Sequence, residues 1–427
     1  MTGVVTGLVC ASCRSRVSIA SPLSWLCPNA SVDDRHHVLH FESQLEPFRP
    51  TDDANPYLAF RRYLAVDSFG EAIGLSEDTR IQIIREANDA VEKVAGVGFV
   101  RTPLARGNEL SDALGFSATG GVWVKDETAG VGGSHKARHL FTELLHLLFA
   151  EAAGLTPWTS DSRPPLAIAS CGNAAIAAST LAAAMKWPIY VHVPPTSAAS
   201  VIHALQSLNA TIIECPRLPA DPLGDPCVLR FREAVAQGAI PFGVQGTENA
   251  WCLDGGRTIG WEITEELGHF VDRIFIQVGG GAFAASVGAA LRTAGVHPQM
   301  HAVQTAGCAP LARAWERAIA TGGAHDAGDR WDQCMWPWET EPHSLADGIL
   351  DDETYDWVGV LDAMADTGGS PVVVTEDHVQ RAVDMVRTVG GFNASPTGTA
   401  GFAGLLAMRD TIADDERIVV VVSGVAR

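Results

Sequence analysis

From about residue 99 onward, short apolar stretches alternate with longer stretches of helical periodicity. The short stretches are rich in β-branched residues and predict strands, whereas apolar positions three and four residues apart predict helices. This alternation predicts parallel strands joined by helical crossovers. The predicted strands cover residues 122–124, 165–170, 188–193, 211–214, 274–278, 300–304 and 418–423. Predicted helices cover 174–185, 197–208 and 228–237 and begin near 282 and 309, after a helix-rich stretch at 76–94.

The turn after the strand at 122–124 is rich in glycine and is followed by a helix that opens near Ser134. Lys136 therefore falls in the first turn of that helix. The helix dipole disfavours a cation at this end and so favours the neutral form of the amine. Only a neutral amine attacks a carbonyl group. The sequence thus marks Lys136 as a candidate nucleophile, although a solvated surface lysine is the plain alternative.

Three further turns follow predicted strands, where ligands bind in parallel sheets. The turn at 170–174, SCGNA, leaves backbone N–H groups free for a carboxylate or phosphate, although Asn173 is also a common cap. The triple glycine at 279–281 lets the backbone approach a phosphate closely. It matches neither the dinucleotide fingerprint nor the P-loop. Ser423 places a hydroxyl at the end of the most hydrophobic strand.

Composition narrows the function classes. The chain has 427 residues, of which 47% are hydrophobic, so it can bury a large core in two domains or in one domain with an insertion. Its net charge of -20 argues against nucleic-acid binding and against an anionic membrane surface. No apolar run reaches the roughly 18 residues of a membrane helix. The start lacks a basic n-region before its apolar residues, and the nine cysteines are irregularly spaced. We therefore expect a cytoplasmic protein with reduced thiols.

Three of the cysteines lie near the start of the chain. Cys10 and Cys13 form a CxxC pair and Cys27 follows, but Ala30 stands where a second pair would need its cysteine. Three thiolates without a fourth ligand make a poor structural metal site. We interpret the segment as a degenerate zinc-ribbon-like hairpin or a plain N-terminal hairpin and predict no metal site, with metal binding as the minority alternative.

Taken together, the SHKAR lysine, the SCGN loop, the GGG loop and the final VVVVSG resemble one family. They look like the fold type II pyridoxal-phosphate enzymes, the group of tryptophan synthase β, threonine synthase and threonine dehydratase. Further matching segments occur at 102–104, 253–263, 302–311, 344–349 and 395–405. The resemblance covers about residues 95–427, and the CxxC pair and the arm YLAFRRYLAV extend it toward threonine synthases.

The resemblance implies an α/β fold. Two open, twisted and mostly parallel sheets would be flanked by helices, with a smaller domain inserted in the larger one. We expect an N-terminal arm with the degenerate CxxC hairpin at residues 1–66. The large domain would comprise 67–152 and 246–427, and the small domain 153–245. Family members are usually homodimers, which we expect here by analogy.

The resemblance also implies the roles of the site residues. Lys136 would hold pyridoxal 5'-phosphate as a Schiff base and move protons at Cα of the substrate. His135 would flank the cofactor phosphate, Asn173 would bond the ring hydroxyl and Ser423 would face the ring nitrogen. The phosphate would lie on Gly279, Gly280, Gly281 and Ala282. The substrate carboxylate would lie on Ser170, Gly172, Asn173 and Ala174.

Cys171 is the second candidate catalytic residue. It stands where serine racemases of this family place a serine, on the cofactor face opposite the lysine. A thiol there could do acid–base work, so racemisation stays open. A plain cysteine packing under the cofactor ring is the alternative.

The resemblance predicts a lyase acting on a small amino acid. We expect β-elimination, with deamination of a serine- or threonine-like substrate. The alternatives are threonine synthase chemistry on a phosphorylated homoserine, or β-replacement, and a third is a non-catalytic protein that keeps the cofactor. Ala174 removes a side-chain donor, and the stretch 196–210 has no lysine and only His203 for a phosphate that prefers Arg or Lys. The tryptophan-rich segment 330–344 would be either a lid or a surface loop.

Overall fold

The protein folds around three β-sheets, seen in a computed structural model that describes residues 4–44, 46–222 and 224–427. The strands, numbered along the chain, are Val5–Cys10 (β1), Arg16–Ser18 (β2), Leu39–Ser43 (β3), Leu104–Arg106 (β4), Gly121–Asp126 (β5), Leu166–Ala169 (β6), Ile189–Val193 (β7), Thr211–Glu214 (β8), Ile240–Pro241 (β9), Arg273–Gln277 (β10), Gln299–Thr305 (β11), Ser370–Val374 (β12) and Arg417–Val422 (β13).

Helices cover the faces of the sheets. They are Pro56–Ala59 (α1), Ala65–Ala72 (α2), Glu77–Ala95 (α3), Asn108–Ala113 (α4), Lys136–Ala152 (α5), Asn173–Ala184 (α6), Ala199–Ser207 (α7), Pro226–Ala236 (α8), Cys252–Gly255 (α9), Arg257–Leu267 (α10), Ala282–Thr293 (α11), Pro310–Thr321 (α12), Trp331–Cys334 (α13), Trp357–Thr367 (α14), Glu376–Thr388 (α15) and Pro396–Met408 (α16).

The largest sheet has six strands in the order β12-β11-β10-β13-β5-β4. All of its pairings are parallel except that of β4 with β5. Strand β13 lies in the interior of this sheet, as its run of valines, buried from Ile418 to Val422, requires. Because β5, β10 and β13 are neighbours, the turns that follow them meet at one edge of the sheet.

A second sheet has four strands in the order β8-β7-β6-β9, all parallel. It is formed by residues 166–241, between the strands β5 and β10 of the larger sheet. The predicted fold, two mostly parallel sheets flanked by helices with the smaller inserted in the larger, is therefore confirmed. The exact domain boundaries stay a prediction.

The N-terminal segment forms a third, antiparallel sheet in the order β2-β1-β3. Its apolar face joins the same core as helices α2, α3, α5 and α6. The segment is thus packed on the body of the molecule. It also shares contacts with the tryptophan-rich segment, because His36 stacks on Trp331 at a centroid distance of 5.3 Å.

Several elements of the large sheet do not follow from the hydrophobic pattern alone. Strand β12 and helices α14, α15 and α16 lie in a region for which we predicted no element. Helix α16 is capped by Ser395, whose side chain accepts from the N–H of Gly398 at 3.1 Å. A Cβ at Gly404 would overlap Val303, and one at Gly398 would overlap a carbonyl oxygen of Ser423. Glycines at these positions let the helix lie directly on the sheet.

Among the described residues, no helix is both long enough and apolar enough to cross a bilayer.

Candidate active site

All the residues that the sequence marked as candidates line a single cleft between the two parallel sheets, with a volume of about 370 Å³. They are His135, Lys136, Ser170, Cys171, Gly172, Asn173, Ala174, Gly279, Gly280, Gly281, Ala282 and Ser423. Chain segments more than 280 residues apart therefore meet there, since His135 contacts Ser423 across a separation of 288 positions. Their individual roles stay predictions.

Lys136 is the first residue of α5, so the predicted helix start is two residues early. The preceding Gly132 and Gly133 have φ of +69° and +70°, a conformation that favours glycine. Burial lowers the pKa of the Lys136 ammonium, and the nearby carboxylate of Asp351 opposes this. The site thus favours a neutral amine more than water does.

A buried ionic network fixes the strand and helix that carry this lysine. Arg138 donates from Nε to Glu127 at 2.8 Å and from Nη1 to Glu262 at 2.6 Å. Lys125 of β5 donates to the other oxygen of Glu262 at 2.5 Å. Thr102 also donates to Glu127 at 2.5 Å. Because the side chains of both basic residues and both glutamates are at most 4% exposed, the paired charges lock β5 to α5 and α10.

The turn between β6 and α6 presents open backbone. Helix α6 begins at Asn173 without a side-chain cap, and a Cβ at Gly172 would meet nothing within 4 Å. The first N–H groups of this helix can therefore donate hydrogen bonds to an anion in the cleft. The Oδ1 of Asn173 accepts from Arg427, which also donates to the carbonyl of Gly132 at 2.6 Å.

The glycine turn between β10 and α11 provides a second group of free amides. Gly281 has a φ of +94° and precedes α11, which also lacks a side-chain cap. A Cβ at Gly279 would collide with Asp351, and one at Gly280 would lie 3.0 Å from Tyr355. Side chains at these positions are therefore excluded by close packing, and the start of a helix with 12 residues is left facing the cleft.

Ser423 and His135 form a pair at the floor of the cleft. The Oγ of Ser423 accepts from the backbone N–H of His135 at 3.0 Å and lies 2.6 Å from its Nδ1. The imidazole of His135 stacks on Phe283 with centroids 4.1 Å apart. Burial, followed by the charge of Lys136, holds the pKa of His135 well below its ordinary value, so the ring is neutral.

Acidic residues of the cleft were missed by the sequence reasoning. Asp225, Asp347 and Asp351 all line it. The carboxylate of Asp351 accepts a backbone hydrogen bond from Gly280, and burial raises its pKa to about 6. Asp347 lies in the matching segment 344–349, but no role was assigned to it there, and no spacing marks Asp225 or Asp351 as residues that face a ligand.

The tryptophan-rich segment is not part of this lining. Among the described residues that line the cleft, none comes from 330–344. Trp331 is buried against Trp357, and Arg313 lies over Trp336 with its Cζ 4.0 Å from the ring centroid. In this conformation the segment packs against α12 and α14 and not on the cleft, and its role, as a lid or as a loop, stays a prediction.

Fold type II pyridoxal-phosphate enzymes are the class that these two sheets and this cleft define. The chain belongs to the family described as "Pyridoxal-phosphate dependent enzyme", whose model matches residues 97–424. The predicted family and its cofactor, pyridoxal 5'-phosphate, are thereby confirmed.

Individual relatives are distant. A threonine synthase of Methanosarcina acetivorans is 24% identical over 334 residues, covering 76% of this chain and 74% of the relative. A cysteate synthase of Methanoregula boonei is 24% identical over 283 residues, covering 62% of each. Among solved structures, the processed form of threonine deaminase isoform 2 from Solanum lycopersicum superposes with a TM-score of 0.62 at 19% identity, covering 83% of this chain and 92% of that one. At these identities the likeness establishes the fold and leaves the reaction open.

The residues of the cleft fit the cofactor. The uncapped start of α11 beside three glycines suits a phosphate, and Lys136 lines the same cleft. The side-chain nitrogen and oxygen of Gln277, also in the lining, are buried without a hydrogen-bond partner. Such polar atoms imply a polar ligand, since buried unpaired groups are costly.

Proposed function

We propose that the protein is a lyase that uses Lys136 to eliminate water from a serine- or threonine-like amino acid; the enamine product then hydrolyses to a 2-oxo acid and ammonia. The main support for this proposal is the excess of acidic side chains in the cleft. Asp225, Asp347 and Asp351 line it, and Lys136 is the only lysine or arginine among its described lining residues. A substrate side chain that ends in a hydroxyl group suits such carboxylates, whereas a phosphate group would need cationic partners.

The proposed chemistry divides between the cofactor and the chain. Bound pyridoxal phosphate supplies an electron sink for the carbanion that forms at Cα. Lys136 would hold the cofactor through its Nζ and, once released, would take the proton from Cα. Burial makes the amine a better base at neutral pH than its ordinary pKa allows, because more of it is unprotonated.

Backbone amides would orient the substrate. The open N–H groups from Ser170 to Ala174 would bind its carboxylate, which fixes Cα beside Lys136. The glycine turn from Gly279 to Ala282 would bind the cofactor phosphate in the same way. In both places the anion would lie at the start of a helix, where the dipole is favourable.

Asp351 would take up and release a proton within the site. With a pKa of about 6, its carboxyl group holds a proton over part of the physiological range. Its charge raises the pKa of Lys136 whenever it is ionised. We propose that it exchanges this proton with groups of the cleft during the reaction, including the hydroxyl that leaves from Cβ.

Threonine synthase chemistry is the rival, favoured by the sequence likeness to the threonine synthase of Methanosarcina acetivorans. The two are separated by incubating the purified holoenzyme with serine, threonine, O-phosphoserine and O-phosphohomoserine. Our proposal predicts 2-oxo acid and ammonia from a hydroxy amino acid, with the phosphorylated compounds poorer by kcat/KM. Threonine and inorganic phosphate from O-phosphohomoserine would instead establish the rival reaction. Absence of turnover with every β- and γ-substituted amino acid would support the non-catalytic alternative.

A matched pair of variants tests the charge argument itself. Asp225→Asn removes one carboxylate of the cleft, whereas Asp221→Asn removes a nearby carboxylate that is paired with Arg230 at 2.7 Å. We expect the first variant to improve the relative kcat/KM for phosphorylated substrates and the second to leave it unchanged. The homodimer and the cytoplasmic location stay predictions from the sequence.

A further inference from the structure

We propose that Cys10, Cys13, Cys27 and His37 bind one structural zinc ion, which cross-links the hairpin after β1 to the segment 27–37 of the same N-terminal region. The ligand atoms of these four residues all lie within 4.8 Å of one another. The sequence pattern supplied only three thiolates, and the fold brings His37 to them as the fourth ligand. The proposal therefore departs from the expectation of no metal site.

The separations suit tetrahedral zinc. Zinc–sulfur bonds of about 2.3 Å and zinc–nitrogen bonds of about 2.0 Å place ligand atoms about 3.5 to 3.8 Å apart in a tetrahedron. The Sγ atoms of Cys13 and Cys27 are 3.4 Å apart, and the Sγ of Cys10 lies 3.4 Å from the Nδ1 of His37. Three sulfurs and one imidazole nitrogen form a donor set that closes a structural zinc site and leaves no position for a substrate.

The three sulfurs also receive hydrogen bonds of the kind that stabilise thiolates. The backbone N–H of Cys13 donates to the Sγ of Cys10 at 3.5 Å. Asn29 donates from its backbone N–H to Cys27 and from its side chain to Cys13, both at 3.4 Å. N–H donors around metal-bound sulfur stabilise its negative charge. Neutral thiols packed only as apolar groups would not need them.

The imidazole of His37 is oriented to bind the metal through Nδ1. The Nε2 of His37 lies 3.3 Å from a carboxylate oxygen of Asp34, and its ring is 8% exposed. A carboxylate that accepts from Nε2 leaves Nδ1 unprotonated, and Nδ1 is the atom that faces Cys10. The arrangement is that of a carboxylate–histidine–zinc triad.

The bound ion would connect the hairpin to contacts with the rest of the chain. Beside His37, His36 lies 2.7 Å from Asp332, and Arg35 lies 3.6 Å from Glu248. Glu248 is in turn paired with Arg232 of α8, the helix whose first turn includes the cleft residue Cys227. Zinc would hold the segment 27–37 against the hairpin, and its loss would loosen these contacts with the rest of the chain.

The test is the metal content of the purified full-length holoenzyme, measured by inductively coupled plasma mass spectrometry. We expect about one zinc per chain and no iron. Cys27→Ser and His37→Ala should each lose most of the zinc. The matched control is Cys215→Ser, which alters a buried cysteine whose Sγ donates to the carbonyl of Ile213 at 3.3 Å and hydrogen-bonds Cys227; it should retain the metal.

The Asp34→Asn variant changes an exposed side chain and keeps all four ligands. Zinc should pass from this variant to a competing chelator at a concentration about 10- to 100-fold lower than from the wild type. Hydrogen exchange of residues 5–43 should rise when the wild type is stripped of metal. Neither readout depends on turnover, so these experiments test the zinc proposal independently of the proposed reaction.

Any of four results would overturn the proposal. The first is a protein with no zinc that also fails to bind added zinc after reduction. The second is iron in place of zinc, and the third is a Cys13–Cys27 disulfide in the mass of the freshly purified chain. The fourth is a zinc content and a zinc retention equal to those of the wild type in both the Cys27→Ser and the Asp34→Asn variants, which would exclude the assigned ligands.

Discussion

The Nδ1 of His135 lies 2.6 Å from the Oγ of Ser423, and the backbone N–H of His135 donates to the same oxygen at 3.0 Å. A neutral imidazole carries one proton, on Nδ1 or on Nε2. If Nδ1 carries it, the histidine donates to Ser423 and the serine hydroxyl is free to donate to the ring nitrogen of the cofactor. His135 therefore controls the direction of the hydroxyl that was predicted to face that nitrogen.

The Ser423→Ala variant tests this pair. It leaves the buried N–H of His135 without its acceptor, which should destabilise the protein by about 1–3 kcal/mol. It should also shift the visible absorbance of the bound cofactor and lower kcat. Ser423→Thr, which keeps the hydroxyl, should restore both properties in part. Identical spectra for the alanine variant and the wild type would show that the hydroxyl does not reach the ring.

The Cys171→Ala variant separates elimination from racemisation. Desolvation by the walls of the cleft, with the nearby carboxylates of Asp225 and Asp347, raises the pKa of this thiol, so it is protonated at neutral pH and makes a poor base. We expect the variant to retain ammonia release within about tenfold in kcat, equivalent to about 1.4 kcal/mol. Chiral chromatography should detect little D-serine from wild-type enzyme. Rapid racemisation that disappears in the variant would make Cys171 a catalytic residue instead.

Local patterns explain why much of the site could be predicted. Lys136, the triple glycine and Ser423 each follow a strand that is recognisable from β-branched residues over a few positions. Parallel topology then places the ends of such strands at one edge. The sequence therefore indicated the cleft before its geometry was known.

The residues that were missed owe their roles to tertiary contacts. His37 joins three cysteines although it follows Cys27 by ten positions without a recognisable metal-binding spacing. Asp351 reaches Gly280 across a chain separation that no local pattern encodes. Helix α16 was missed because glycine and threonine weaken its helical signal. These small residues allow close packing on the sheet, which outweighs intrinsic propensity.

The buried network gives a stability prediction. Glu262→Gln leaves Lys125 and Arg138 with one buried carboxylate fewer and should cost about 3–5 kcal/mol in the free energy of unfolding. Glu265→Gln is the control, because this residue on the same helix pairs with Arg101 in a partly exposed position. It should cost less than about 1 kcal/mol. Equal losses in denaturant titrations of the two variants would contradict the importance of the network.

Asp356 gives a prediction for pH dependence. Burial raises the pKa of its carboxyl group to about 7, and in the unfolded chain the pKa is near its ordinary value of 3.8. Between these values the folded state holds a proton that the unfolded state has lost, so this residue makes stability fall as pH rises. Above the higher value the folded protein must bury a carboxylate.

The Asp356→Asn variant removes this titration while preserving an acceptor for the N–H of Gly246, which Asp356 bonds at 3.1 Å. Its melting temperature relative to that of the wild type should therefore increase between about pH 5 and about pH 8. Asp377→Asn, at a side chain that is 79% exposed, serves as the control and should follow the wild type. A constant difference between Asp356→Asn and the wild type across this range would refute the assignment.

The central claim is that Lys136 holds the cofactor, and borohydride reduction followed by peptide mass spectrometry tests it most directly. The lysines of the chain are Lys93, Lys125, Lys136 and Lys186. We predict one pyridoxyl group per chain, on the peptide that contains Lys136. Lys136→Ala should lose this label, the visible absorbance and turnover, whereas the exposed-lysine variant Lys93→Ala should keep all three. A label on another lysine, or an unlabelled wild-type protein that still turns over substrate, would contradict the account.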